Sequence, residues 1–200
     1  MSHDIARADA SLPTRTTLRA PLLGELLESS GDGSRHVWLD LGSVSQGLIE
    51  RLQNTRSRLV IAALDAAARE RNADCFDFRK RLTAGLLNEP VDTVLCWDLF
   101  NYMNADQLRR LSAKVARLAG PGARIHALIY YSNPMMPDFP GRFFPGSGAE
   151  LEMIEGGSSR IQAPLYTPKA LQKAMPELEV ERTLLLNNGM QEFIFELSPD

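Results

Sequence analysis

The sequence predicts an α/β fold: a doubly wound, mostly parallel seven-stranded sheet closed by a C-terminal antiparallel hairpin. Three observations carry this expectation. Short apolar runs of strand length alternate with helix-compatible segments along most of the 200 residues. Several of those runs, LVIAAL and ARIHALIYY among them, are continuously apolar, as strands buried on both faces must be. The last two runs are joined through Asn187-Asn188-Gly189, and an Asn-Gly pair between apolar runs is the strongest short hairpin signal.

The elements follow in order. Residues 1–17 are polar and mixed and read as a flexible arm, with residues 18–200 as the domain. Leu18, Leu22, Leu23, Leu26 and Leu27 fall at helical spacing over 18–29, before the SGDGS punctuation. Val37–Leu41 is a short strand that ends in glycine, and Gln46–Gln53 carries Leu48, Ile49 and Leu52 on one helical side. Leu59–Leu64 is a strand, and Ala66–Arg71 is a short, strong helix former. Residues 74–78 (DCFDF) fit a third strand, followed by a helix near 79–87, and Val91–Trp97 is a fourth strand. Leu108, Leu111, Val115 and Leu118 make the clearest amphipathic stripe, over 105–118, which stops at Gly120-Pro121-Gly122. Ala123–Tyr131 is the fifth strand, and residues 132–148 read as a loop rich in Pro, Gly and Phe. Thr167-Pro168 opens a helix to about Met175, with proline favoured at the first turn. Leu178–Leu186 and Met190–Leu197 form the hairpin. Parallel strands joined by helices require right-handed crossovers, hence a doubly wound sheet.

Composition narrows the function classes. A chain this long buries about 70% of its unfolded surface, so it needs no disulfide or metal staple. Its 22 basic residues against 25 acids give a net charge of -3, which offers no field for wrapping nucleic acid or docking on anionic lipid. Cys75 and Cys96 match no metal-ligand spacing, and no Walker or Ser-His-Asp arrangement is present by spacing. With no signal-peptide core and no apolar run approaching a membrane span of about 18 residues, the expected compartment is the cytoplasm.

Four patterns in order, covering roughly 18–197, resemble the class I S-adenosylmethionine-dependent methyltransferases, a Rossmann-like family. VWLDLGSVSQG at 37–47 is similar to its strand, acid and glycine-rich turn; Asp65 closes the second strand where the family places an acid. VDTVLCWDLFNYM at 91–103 is similar to its fourth-strand motif, and ARLAGPGARIHALI at 116–129 to its helix, Pro-Gly and fifth strand. The NNGMQEFIFEL ending fits its terminal hairpin.

The resemblance implies S-adenosyl-L-methionine as cofactor, with Asp40, Gly42 and Ser43 at its amino-acid end, Asp65 on its ribose hydroxyls, and Asp77 and Phe78 at its adenine. Capping remains open for Asp65 and Asp77, and core packing for Phe78. Val44 and Gln46 stand where the family has glycines; a β-branched residue dislikes positive φ and puts methyls where the ligand lies, which weakens the expected hold. Beyond the carboxyl end of strand four, Asp98 and Tyr102 are the candidate catalytic residues, with Trp97, Asn101 and Tyr131 for the substrate. Capping or solvent exposure is the alternative for Asp98. Tyr130 and Tyr131 must face opposite ways, so at most one of them points inward. His126, in mid-strand, reads as a core residue rather than a base.

Two functions are expected from these residues. One is methyl transfer to N or O of a small molecule. The other is a methyltransferase-like domain with weakened or lost cofactor binding that works as a binding or assembly partner. In either case the Met- and Phe-rich stretch at 134–148 reads as a lid over substrate or as a surface for a protein partner or homodimer.

Overall fold

The computed structural model describes residues 14–69 and 89–198. The expected third strand and its helix, with Asp77 and Phe78, lie outside the described residues.

Strand β1 (Arg15–Arg19) leads into α1 (Pro21–Ser29), so the tail of the expected arm is strand. Proline at the start of α1 shortens the helix expected from Leu18. Next come β2 (His36–Asp40), α2 (Gln46–Leu52), β3 (Ser57–Ile61), α3 (Leu64–Arg69) and β4 (Val91–Leu95). A 3-10 turn over Leu99–Tyr102 precedes α4 (Ala105–Leu118) and β5 (Ala119–Tyr130). Strands β6 (Met135–Pro145) and β7 (Glu150–Gln162) follow, then α5 (Pro168–Ala174), β8 (Leu178–Leu185) and β9 (Met190–Leu197).

The main sheet runs β3-β2-β4-β5-β9-β8. Strands β2, β3, β4 and β5 pair parallel, and β9 runs antiparallel to both β5 and β8. The antiparallel strand is therefore internal rather than an edge element, and β8 forms the edge. A second sheet, β1-β7-β6, is antiparallel throughout. It replaces the expected loop at 132–148.

Alternation along the strands sends successive residues to two apolar layers. Val37, Leu39, Val94, Ile125, Phe193 and Phe195 pack against Leu108, Leu111 and Val115 of α4 and Leu171 of α5. Trp38, Leu95, Leu128 and Ile194 face the other way, onto Leu22, Leu23 and Leu26 of α1, Leu48 of α2, and Met136, Phe143, Leu151 and Met153 of the small sheet. The small sheet therefore belongs to the core, with Met136 and Phe143 buried and Met135 exposed. Among the described residues no helix is long and apolar enough to cross a membrane.

Candidate functional site

Strand β6 crosses the carboxyl end of the main sheet and docks on it residue by residue. Tyr102 Oη donates to the carbonyl oxygens of Phe139 and Pro137 (2.8 and 3.1 Å). Asp98 Oδ2 accepts from the Gly141 N–H at 3.0 Å. Phe143 stacks on Trp97, with ring centroids 5.2 Å apart and planes at 4°. At the far end, Pro145 lies so close to Gly47 of α2 that a Cβ there would strike its carbonyl. The Asp98 and Tyr102 side chains are thus engaged in holding β6. Burial pushes the Tyr102 phenol well above its ordinary range, with the Asp98 charge adding to the effect.

Beneath β6 lies the turn after β2. Asp40 is fully buried; its Oδ1 accepts from the Gly42 N–H at 2.7 Å and from Trp97 Nε1 at 2.6 Å. Its Oδ2 is buried with no hydrogen-bond partner among the described residues. Desolvation pushes the carboxyl up to about 7, against the pull of the Trp97 and Gly42 hydrogen bonds, with Asp65 adding repulsion. Asp65 is also buried. It lies in the first turn of α3 rather than capping it, because the helix begins at Leu64, whose N–H bonds Leu41 O at 2.7 Å. Ser43 Oγ donates to Asp65 Oδ2 at 2.6 Å, and Asp65 Oδ1 is buried with no hydrogen-bond partner among the described residues. Two carboxylates at the tips of adjacent strands therefore each keep one unsatisfied oxygen, and a buried acceptor left unpaired costs about 1–3 kcal/mol. Such a pair fits a ligand that brings an amine to one acid and hydroxyls to the other.

The space in front of Gly42 is taken by the protein itself. A Cβ on Gly42 would meet Trp97 Cδ1 and Nε1 at 2.7 and 2.8 Å. Trp97 is 3% exposed and adopts φ 50°, a left-handed conformation that costs a bulky residue about 1–3 kcal/mol. Val44, at 65% exposure, turns its methyls to solvent at the mouth of the turn. The acids thus fit the amine and diol of S-adenosyl-L-methionine, whereas full occupation of the turn requires Trp97 to move.

The remaining expected residues separate. Asn101 is buried and structural: Nδ2 donates to Asp98 O and Leu128 O, and Oδ1 accepts from the Tyr130 N–H. Tyr131 is 47% exposed and Tyr130 is buried, as alternation requires. Beside the 3-10 turn, a cavity of about 720 Å³ is lined by Tyr102, Met103, Phe139, Pro140 and Tyr166, with Asn101, Asn104, Asp138 and Gln162 as polar members. Sequence reading missed this cavity because β6 and β7 build one of its walls.

His126 is buried, as expected of a core residue, and its Nε2–H donates to Glu192 Oε1 at 3.0 Å. Sequence reading did not single out Glu192. Its carboxylate also accepts from the N–H groups of Leu22 and Leu23, at 3.0 and 2.8 Å, so it caps α1, whose own N-cap position is Ala20. A lone acid in the apolar run MQEFIFEL was the available signal.

Solved structures that superpose on this architecture include S-adenosylmethionine-dependent methyltransferases, and the chain has the class I methyltransferase fold. One such enzyme from Clostridium acetobutylicum superposes with a TM-score of 0.52 at 12% identity, covering 89% of each chain. The glycopeptide N-methyltransferase MtfA, solved with S-adenosyl-L-methionine, gives 0.51 at 14% identity over 96% of this chain and 99% of its own. The CcbJ methyltransferase from Streptomyces caelestis gives 0.51 at 12% identity over 88% of each chain. No family model matches the sequence, and no curated protein matches it by sequence.

Proposed function

We propose that the chain is an S-adenosyl-L-methionine-dependent methyltransferase acting on a small molecule at nitrogen or oxygen. The observation that carries the reading is the pair of buried, half-satisfied carboxylates, Asp40 and Asp65, at adjacent strand tips of a class I methyltransferase fold. Asp40 receives the cofactor's amine, Gly42 and Ser43 shape the turn around it, and Asp65, held by Ser43, receives the ribose hydroxyls. When bound, the cofactor supplies a methyl group on a sulfonium for in-line displacement, so the protein's part is position and exclusion of water. Strand β6 with Phe143 covers the turn and excludes water from it. The aromatic cavity beside Tyr102 is a suitable place for an uncharged or cationic acceptor, since no Lys or Arg among the described residues lines it.

Isothermal titration with S-adenosylmethionine and S-adenosylhomocysteine tests the reading. Micromolar binding is expected, about -8 kcal/mol. Asp65→Ala abolishes it, and Val44→Gly tightens it or leaves it unchanged. Absence of binding up to millimolar, by the folded chain and by variants that open the turn, overturns the reading. That outcome favours the second function, a methyltransferase-like binding or assembly domain, for which the observation is the indole already seated against Gly42.

A further inference from the structure

We propose that Trp97 is an internal competitor for the cofactor's amino-acid end: its indole is seated against Gly42 beside the Asp40 carboxylate and must leave before that end of the ligand can fill the turn. The inference rests on the cofactor reading above and adds a gate to it.

The geometry argues for competition over one space, the turn in front of Gly42. Trp97 Nε1 donates to Asp40 Oδ1 at 2.6 Å, the short distance of a hydrogen bond to a charged or strongly polarised acceptor. The same indole edge lies against Gly42, the residue whose missing side chain makes room at the turn. The backbone of Trp97 is left-handed, a conformation that surrounding contacts must impose. Those contacts are identifiable. Phe143 covers one face of the ring in a parallel stack, and His126 meets the indole edge-on at 6.1 Å. Phe143 belongs to β6, which is the edge strand of the small sheet and breaks register with β7 on either side of Phe139. An irregular edge strand can shift against its sheet, and such a shift of β6 would release the indole. A ligand amino-acid moiety seated in the turn excludes the indole from Gly42, and a ligand lacking that moiety has no such contest.

The test uses the full chain labelled with fluorotryptophan. The chain's two tryptophans give two fluorine resonances, assigned with Trp97→Phe. Titration with S-adenosylhomocysteine is expected to move the Trp97 resonance and leave that of the buried Trp38 in place. Trp97→Phe, which keeps an aromatic ring for Phe143 but has no N–H, is expected to bind S-adenosylhomocysteine about tenfold more tightly, as when a binding-competent state of about 10% is made dominant. Phe143→Ala, which leaves Asp40 and Trp97 intact, is expected to shift affinity in the same direction and serves if the first variant does not fold. Methylthioadenosine, which lacks the amino-acid moiety, is expected to bind wild type and variants alike. Equal gains for both ligands overturn the proposal, as does S-adenosylhomocysteine binding with the Trp97 resonance unmoved and affinities unchanged. In both cases the cofactor reading stands. If wild type, Trp97→Phe and Phe143→Ala all fail to bind either ligand, the cofactor reading falls and the proposal with it.

Discussion

Asp40 couples the site to pH. Burial penalises its charge and pushes the carboxyl from the ordinary 3.8 up to about 7 in the folded chain. Between roughly pH 4 and 7 the native state therefore holds a proton that the unfolded chain has released, and this group's contribution to stability falls by about 1.4 kcal/mol per pH unit across that window. Asp40→Asn is expected to flatten that part of the stability profile, measured as urea midpoints between about pH 4.5 and 8. Ligand binding has the opposite pH trend. An amine needs the ionised acid, so S-adenosylhomocysteine is expected to bind more weakly at about pH 5.5 than at 8 and to release a proton there, seen as heats that vary with buffer ionisation enthalpy. Glu192 makes a second residue-scale prediction. Glu192→Ala strands two N–H groups of α1 and the His126 ring in the interior, and is expected to destabilise by about 3–5 kcal/mol in equilibrium unfolding. A loss under 1 kcal/mol would show that water replaces the carboxylate.

At the scale of elements, the helices and the apolar strands of the main sheet were legible, and the strands of the small sheet, β1, β6 and β7, were not. Helix α4 has the bounds its leucine stripe predicts, because Asn104 and Gln107 close a reciprocal capping box: the Asn104 side chain accepts from the Gln107 N–H, and Gln107 returns the bond to the Asn104 N–H. Asn104→Ala is expected to cost about 1 kcal/mol, measured by thermal or urea unfolding. The Asn-Gly hairpin was equally local, with Gly189 at φ 80° supplying the turn. By contrast, β6 reads as a loop since Pro137, Pro140 and Pro145 punctuate it and its register shifts twice against β7. Those prolines are tolerable because β6 is an edge strand, a property visible only once β1 and β7 are in place. The site divides along the same line. Asp40 and Asp65 were readable as acids at strand ends, whereas the seating of Trp97 on Gly42 depends on a left-handed backbone and on Phe143 arriving from β6. For the same reason Asp98 and Tyr102, readable as candidates after strand four, are found bonded to β6 backbone.

At the scale of the whole molecule, the small sheet acts as a cover whose attachment and the state of the turn are linked. Gly47→Ala places a methyl against Pro145, a clash with backbone rather than with a movable side chain. It is expected to loosen β6 and speed hydrogen exchange of its amides, while the amides of β4 and β5 keep their protection. Equal loss of protection in both sheets would mean that the cover and the main sheet open as one unit. The order of assembly follows from the position of β9 between β5 and β8. This strand, late in the chain, fills an interior slot and carries the carboxylate that caps α1, made some 170 residues earlier. During synthesis, β5 waits with an open edge and α1 without its cap until residues 190–197 have left the ribosome. A nascent chain stalled before Met190 therefore exposes the unpaired edge of β5, and the main sheet is completed only when β9 has filled its slot.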